Sequence, residues 1–171
     1  AGWKYKGELP AEKKAVIISV PHTSNWDFFW GELAFLSQGI PAFILMKKEF
    51  FFFPLGMILR ALNVIPVDRG NKDSQLVEQM ITEFKQRDSM YLCITPEGSR
   101  KKRKKWKKGF LVIAKAAGVP VYLGRIDYKG KYCEVGPLFY PTEDVDADLA
   151  YIMSTYHDAN PKYPENFSNG N

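Results

Sequence analysis

The sequence is poor in the residues that build metal sites and disulfides, with two cysteines and two histidines among 171 residues. The two histidines lie far apart and no cysteine stands near them at a metal-binding spacing, so we predict neither a metal site nor a bound cofactor. Cys93 and Cys133 both lie in apolar runs typical of strands, which favours two buried free thiols over a disulfide. Free thiols indicate a reducing compartment, and we expect a cytoplasmic protein.

Long apolar runs are missing as well. No segment reaches the roughly 20 apolar residues that span a bilayer, and the best candidate, residues 33–46, is interrupted by Ser37, Gln38, Gly39 and Pro41. The N-terminal residues lack the apolar core of a signal peptide. These absences predict a peripheral protein or the soluble part of a longer one.

The remaining composition is ordinary for a globular protein, with 46% hydrophobic and 25% charged residues. Apolar patterns predict strands at 15–20, 43–46, 64–67, 90–95 and 119–126, and helices at 25–38, 52–62, 73–87, 109–117 and 142–157. A hairpin turn at 128–132 leads into a short strand at 133–135, and a loose polar tail follows residue 161. This alternation predicts a single α/β domain over residues 1–171, with a largely parallel sheet flanked by helices.

Polar motifs follow three of the predicted strands. His22 follows the first strand, Asp68-Arg69 follows the third, and residues 97–100 follow the fourth. Ligands of parallel sheets bind beyond the carboxyl ends of the strands, so we expect these motifs to meet at one edge of the sheet.

His22 and Asp27 form the first candidate site. His22 ends the strand-to-helix turn, Ser24 can cap the helix, and Asp27 falls in the first turn, from which its carboxylate can reach back to the imidazole. Such a pair can act as a general base and the group that orients it. Ser24-x-x-Asp27 is also a capping-box pattern, in which the aspartate would only stabilise the helix.

The second candidate site is the run Glu97-Gly98-Ser99-Arg100. Arg100 can donate two hydrogen bonds to a phosphate, Ser99 can donate a third, and Gly98 lets the backbone approach closely. Glu97 cannot favourably contact a dianion, so we expect it to orient Arg100 or to accept from a hydroxyl of the substrate. Arg69 can supply a second cation from the neighbouring loop. The alternatives are a solvated turn and, for Arg69, an ordinary surface ion pair.

Four short motifs, in order along residues 15–125, resemble those of the glycerolipid acyltransferases. They are His-x4-Asp at 22–27, Ile-Pro-Val-Asp-Arg-Gly at 65–70, Pro-Glu-Gly-Ser-Arg at 96–100 and Gly-Val-Pro-Val-Tyr at 118–122. His-x4-Asp alone is a weak signal, whereas four motifs in order are specific. The resemblance implies a glycerol-3-phosphate acyltransferase-like fold and transfer of a fatty acyl group from acyl-CoA or acyl carrier protein to a lysophosphatidic-acid-like acceptor. It implies His22 and Asp27 as catalytic residues, with substrate bound by Arg69, Glu97, Gly98, Ser99 and Arg100.

Positive charge is concentrated in Arg100–Lys108, where eight cations in nine residues are interrupted only by Trp106. The run can contact anionic lipid head groups with Trp106 anchored at the interface, an acidic acyl carrier protein or the phosphates of coenzyme A, or nucleic acid. Because it continues the second candidate site, we favour membrane or donor over nucleic acid. The four phenylalanines at 50–53 are expected to line an acyl-chain groove, to dip into the membrane interface, or to pack beneath the sheet.

The sequence thus predicts an O-acyltransferase of phospholipid biosynthesis that is cytoplasmic and peripherally associated with the membrane. Pro21 stands where an asparagine often precedes the histidine, which leaves glycerol phosphate, another lysolipid or an amino-acid lipid open as acceptors. One alternative is a thioester hydrolase that uses His22 and Asp27 to activate water. The other is a non-catalytic basic adaptor for membranes or nucleic acid, which would need the basic run but neither His22 nor Arg100.

Overall fold

The centre of the fold is strand β2, Lys14–Val20, whose β-branched residues suit burial on both faces of a sheet. The computed structural model describes residues 2–68 and 73–170, with residues 73 and 74 described by their backbone alone. In it, β2 pairs in parallel with β5, Met90–Ile94, and with β6, Val121–Asp127. Both edges of β2 are therefore hydrogen-bonded, and the residues that follow it begin at the middle of the sheet.

The other strands extend this sheet on both sides. They are β1 Lys4–Lys6, β3 Ala42–Lys47, β4 Val64–Val67, β7 Tyr132–Glu134 and β8 Leu138–Phe139. The order is β1-β7-β6-β2-β5-β3-β4, with β8 also paired to β6. Strands β2 to β6 are mutually parallel, whereas β7 and β8 run antiparallel to β6. The predicted α/β fold with a largely parallel sheet is confirmed.

Helices cover the two faces of the sheet unequally. The described residues form α1 Asn25–Ser37, α2 Leu55–Ala61, α3 Asp73–Gln86, α4 Gly109–Ala117 and α5 Val145–Ser154. Residues of α3, α4 and α5 share one core with Val16, Ile18 and Val20 of β2, while α1 packs through Phe35 on the opposite face. Because α1 and α2 connect parallel strands in the same direction along the sheet, right-handed crossovers place both on that second face. This face has two helices against three on the other.

Most predicted elements match those observed to within three residues, and the differences have local causes. Strands β1 and β8 were not predicted, because two or three residues carry too little periodicity and their pairing with β7 and β6 is non-local. Helix α2 begins at Leu55 rather than at residue 52, since Pro54 occupies its N-cap. A 3₁₀ turn at Lys48–Phe50 occupies part of the segment between β3 and α2.

The C-terminal tail departs from the prediction of a loose polar segment. Residues Pro164–Asn166 form a 3₁₀ turn, and Phe167 packs against the larger core. The carbonyl of Ser168 accepts a 2.8 Å hydrogen bond from the indole Nε1 of Trp106. The polar composition predicted disorder, but one apolar side chain and one well-placed carbonyl are enough to hold the segment.

The face that carries α1 and α2 exposes many large apolar side chains. Ten of the sixteen exposed large hydrophobic residues in the described part of the chain lie between positions 26 and 58: Trp26, Phe28, Phe29, Leu33, Leu36, Phe50, Phe52, Phe53, Met57 and Ile58. Phe50, Phe52 and Phe53 are exposed, Phe53 by 83%, so packing beneath the sheet, one of the alternatives for this cluster, is wrong for these three. Among the described residues, no helix is long and apolar enough to cross a membrane.

Candidate active site

The candidate site lies at the carboxyl edge of the parallel strands, as the strand order predicts. His22 follows β2 at the centre of the sheet, and Glu97 follows its neighbour β5. Asp68 follows β4 at the far end, where Lys48 donates to its carboxylate. Because β2 and β5 are hydrogen-bonded neighbours, the loops that follow them meet.

Asp27 connects the helix start to the imidazole of His22. Its Oδ2 accepts the N–H groups of Thr23 and Ser24, each at 2.7 Å, and lies 3.3 Å from His22 Nδ1. The residue is 3% exposed and sits in the first turn of α1. The capping box is therefore present, and the same carboxylate lies next to the imidazole of His22.

Glu97 holds the backbone of the same loop. Both of its carboxylate oxygens accept the N–H of His22, at 3.0 and 2.9 Å, and the residue is 5% exposed. A turn at residues 95–98 places Glu97 next to His22. In this turn the N–H of Gly98 donates to the carbonyl of Thr95, and Gly98 adopts a positive φ of 66°. This contact differs from our expectation that Glu97 orients Arg100 or binds a substrate hydroxyl. A deeply buried carboxyl needs a hydrogen-bond partner, and the backbone N–H of His22 is the one within reach.

Burial raises the pKa of Glu97 to about 8, and the negative charge of Asp27 adds to the shift, while the His22 N–H opposes it. The neutral carboxyl therefore predominates at neutral pH. Two acidic side chains beside one histidine thus play different parts, with Asp27 fixed by two backbone donors and Glu97 held protonated.

The arrangement can perform proton transfer. A proton on Nδ1, the nitrogen that faces Asp27, would leave the lone pair of His22 on Nε2, and the side chain as a whole is 19% exposed. An oriented imidazole of this kind is the general base of several acyl-transfer sites.

A family model described as acyltransferase matches residues 4–123 of the chain. The chain belongs to the acyltransferase family. The matched span covers more than two thirds of the sequence, and it is the glycerolipid acyltransferase family that the four motifs resemble. No curated protein and no solved structure matches the chain significantly.

The second candidate site of this acyltransferase continues from Glu97 into an exposed loop. Residues 99–108, here called the basic loop, are closed at their base by a 2.8 Å hydrogen bond from the N–H of Lys107 to the carbonyl of Pro96. Arg100 is exposed, and Ser99 Oγ accepts from the N–H of Lys101 at 3.0 Å. The predicted phosphate ligands Ser99 and Arg100 thus come two and three positions after Glu97, whose carboxyl holds the backbone of His22. Arg69 lies outside the described residues.

Trp106 does not anchor the acyltransferase at a membrane interface, contrary to our prediction. It is 3% exposed, with its ring against Tyr156 and Phe167 and its Nε1 donating to Ser168. A tryptophan amid lysines suggested an interface, but a large aromatic ring gains more by filling the core when a carbonyl is present for its N–H.

The sequence analysis missed Tyr128, which completes the site. Its hydroxyl donates a 2.6 Å hydrogen bond to Asp27 Oδ1. Tyr163 contacts the loop between β2 and α1, because its N–H donates to Thr23 Oγ1 at 3.3 Å. A signal for Tyr128 existed: it follows β6, another parallel strand that ends at this edge, and polar side chains at such ends are candidates for the site.

The buried Glu97 carboxyl makes folding stability depend on pH. Its pKa is raised from the usual value of 4.5 to about 8 in the fold, so the folded state binds more protons between those values. The free energy of unfolding should therefore fall as pH rises through this window, and Glu97→Gln should remove that part of the decline. Urea unfolding at several pH values measures it.

A matched control for this experiment is Glu165→Gln, which removes an exposed carboxyl from the tail. The free energy of unfolding of Glu165→Gln should fall with pH as steeply as that of the wild type across the same window. A Glu97→Gln curve that also stays parallel to the wild type would show that Glu97 is ionised in the folded protein.

Proposed function

We propose that this acyltransferase moves a fatty acyl group from acyl-CoA or acyl carrier protein to a hydroxyl of a lysophosphatidic-acid-like acceptor. His22 is the general base and Asp27 orients it. The observation that carries the proposal is the 3.3 Å contact between His22 Nδ1 and Asp27 Oδ2 at the carboxyl edge of the sheet. Membership of the family supports acyl transfer, and the geometry supports this particular pair.

In this mechanism Nε2 of His22 removes the proton of the acceptor hydroxyl as its oxygen attacks the thioester carbonyl. The carbon–sulfur bond of the tetrahedral intermediate then breaks, and the leaving thiolate takes the proton from the imidazolium. The products are an ester and a free thiol. Asp27 stabilises the imidazolium between the two steps and keeps the proton of Nδ1 in place.

Direct transfer, without an acyl-enzyme, agrees with the state of the two cysteines. Cys93 and Cys133 are free, and burial raises the pKa of each thiol to about 12. Both are therefore protonated at neutral pH and are poor nucleophiles.

The acceptor phosphate is assigned to the start of the basic loop. Arg100 and Ser99 supply side-chain donors, and Arg69 is kept as a second cation. The backbone at Gly98 is not open, because its N–H donates to Thr95 and the Lys107 side chain lies against it. Glu97 takes part through the His22 backbone, since its carboxyl is buried and occupied. This loop follows β5, next to the strand that carries His22, so an acceptor bound there lies near the base.

Replacing Arg100 with alanine should raise the acceptor's KM by about 10-fold or more, because a forked, charge-assisted contact to phosphate is lost. The donor's KM should change by less than about 2-fold. Steady-state kinetics with a short-chain, water-soluble lysophosphatidic acid measure both constants without a contribution from membrane binding. Arg103→Ala, which removes an equal charge from the same loop, is the control, and equal effects on the two substrates would argue against the assignment.

We also propose that the protein works at an anionic membrane surface, on the cytoplasmic side. The lysines and arginines of residues 100–105, with Lys107 and Lys108, are exposed and suited to lipid head groups. The apolar side chains exposed on α1 and α2 offer a second, uncharged contact of the kind that enters the interface. Nucleic acid remains the less favoured partner, because these apolar side chains would have no role in binding it.

The first experiment is thiol release from a long-chain acyl-CoA by the wild-type protein, with and without lysophosphatidic acid. Release that requires the acceptor supports the transferase. Release without it identifies a thioester hydrolase. No release with either this acceptor or glycerol phosphate, and none from acyl carrier protein, would overturn the proposed substrates.

A further inference from the structure

The two oxygens of the Asp27 carboxylate have different partners. Oδ2 accepts from the backbone of Thr23 and Ser24 and contacts the imidazole of His22. Oδ1 accepts a 2.6 Å hydrogen bond from the hydroxyl of Tyr128. Rotation of the carboxylate about its Cβ–Cγ bond would break contacts on both sides at once.

Tyr128 is itself held both by its backbone and by its ring. Its N–H donates to the carbonyl of Asn160 at 2.9 Å. Its ring lies edge-on to Trp3 at a centroid distance of 5.0 Å, and Trp3 stacks on Trp30 of α1 at 4.7 Å. The hydroxyl is thus placed by both backbone and packing, from elements on either side of the site.

The residue before Tyr128 is fixed as well. Asp127, which is buried, accepts from the N–H of Gly130 at 2.6 Å and from Asn160 Nδ2 at 2.7 Å. These bonds tie the hairpin after β6 to the segment that follows α5. Asp127, Gly130 and Asn160, which hold the backbone around Tyr128, all lie beyond residue 123, where the match to the family ends.

We propose that Tyr128 is a positioning residue of the transfer reaction, whose hydroxyl fixes the rotation of the Asp27 carboxylate and so keeps Oδ2 on Nδ1 of His22. The inference rests on the proposed function, because it takes His22 as the base. The terminal torsion of an aspartate is soft, so a carboxylate held on one oxygen only would sample other rotations. Each such rotation would loosen the imidazole and its tautomer.

The phenol is suited to this part because it keeps its proton. Burial raises the pKa of Tyr128, and the hydrogen bond to Asp27 and the negative charge of that carboxylate raise it further. Tyr128 therefore keeps its proton, and remains a donor, at neutral pH.

The first test is Tyr128→Phe, which keeps the ring between Trp3 and the site and removes the hydroxyl. We expect kcat to fall about 10-fold, with the KM values of both substrates within about 2-fold of the wild type, since the loss affects the base and not the binding contacts. The matched control is Tyr156→Phe. It also removes a buried hydroxyl, which donates to the carbonyl of Gly124 at 2.8 Å, and it should reduce stability but not kcat.

A double-mutant cycle separates positioning from general support of the fold. In an Asp27→Asn background, Tyr128→Phe should lower kcat by less than about 2-fold, because the group through which the tyrosine acts is already altered. An undiminished 10-fold loss in that background, or an equal loss in Tyr156→Phe, would overturn the proposal.

A spectroscopic measurement tests the contact without turnover. In ¹⁵N NMR of the substrate-free protein, the fraction of His22 in the Nδ1–H tautomer should fall in Tyr128→Phe and stay unchanged in Tyr156→Phe. An unchanged fraction in Tyr128→Phe contradicts the proposal. If His22→Ala retained transfer, the proposed function would fail, and the NMR result would still decide whether Tyr128 holds the pair.

Discussion

Replacing His22 with alanine should abolish acyl transfer, lowering kcat roughly 1,000-fold or more while the protein stays folded. The loss is large because Asp27, the other member of the pair, does not contact the acceptor's hydroxyl in the proposed mechanism and cannot take its proton. General-base catalysis contributes about 10²–10⁴-fold to the rate. The fold should persist because the hydrogen bond from residue 22 to Glu97 uses the backbone N–H, which alanine retains. The measurement is acceptor-dependent thiol release from acyl-CoA, with circular dichroism and thermal unfolding to verify folding.

His157→Ala is the matched control for this substitution. His157 is the second histidine of the chain, lies just after α5 and contacts the carbonyl of Ser154 through Nδ1 at 3.1 Å. It should transfer acyl groups at the wild-type rate. Substantial turnover by a folded His22→Ala protein would remove His22 from the mechanism, whatever the effect at Tyr128.

Trp106→Ala should destabilise the protein by about 3–5 kcal/mol, the range for truncating a large buried aromatic side chain. The indole is almost fully buried against Tyr156 and Phe167, and its removal also breaks the hydrogen bond from Nε1 to the Ser168 carbonyl. The loss would release the tail and the base of the basic loop together. Urea unfolding followed by intrinsic fluorescence or circular dichroism gives the free energy.

Two other variants complete this test. Trp106→Phe keeps an aromatic ring, so it should fold with a smaller loss and bind anionic vesicles as the wild type does. Trp26→Ala removes an exposed ring from α1, so it should change stability by less than about 0.5 kcal/mol but weaken vesicle binding. Wild-type stability in Trp106→Ala, with weakened vesicle binding in Trp106→Phe, would restore Trp106 as a membrane anchor.

The parts of the site that depend on local chain geometry were predictable from the sequence. Asp27 stands three residues after a capping serine, which fixes it in the first helical turn and lets it turn back towards His22. The predicted parallel arrangement places His22 and Glu97 at one edge, because parallel strands end on the same side of a sheet. Both features follow from short windows of sequence.

The parts that depend on distant pairing were not predictable. Glu97 was expected to serve Arg100, its near neighbour, yet its partner is the backbone of His22, 75 positions away. Trp106 stood among lysines, and nothing in that window indicated the carbonyl of Ser168, 62 positions away. Tyr128 followed a correctly predicted strand, but the angle of the hairpin that aims its hydroxyl at Asp27 is set by Trp3, Asp127 and Asn160 together.

The long separations within the site bear on the order in which the protein folds. Asp27 is joined to a residue 101 positions later, and Thr23 to one 140 positions later. Contacts between such distant residues form slowly, because loop closure must precede them. The loop after β2, which carries the proposed base His22, must therefore wait for residues more than 100 positions later before its contacts are complete. During refolding, recovery of activity should lag behind recovery of helical signal and report the last step of assembly.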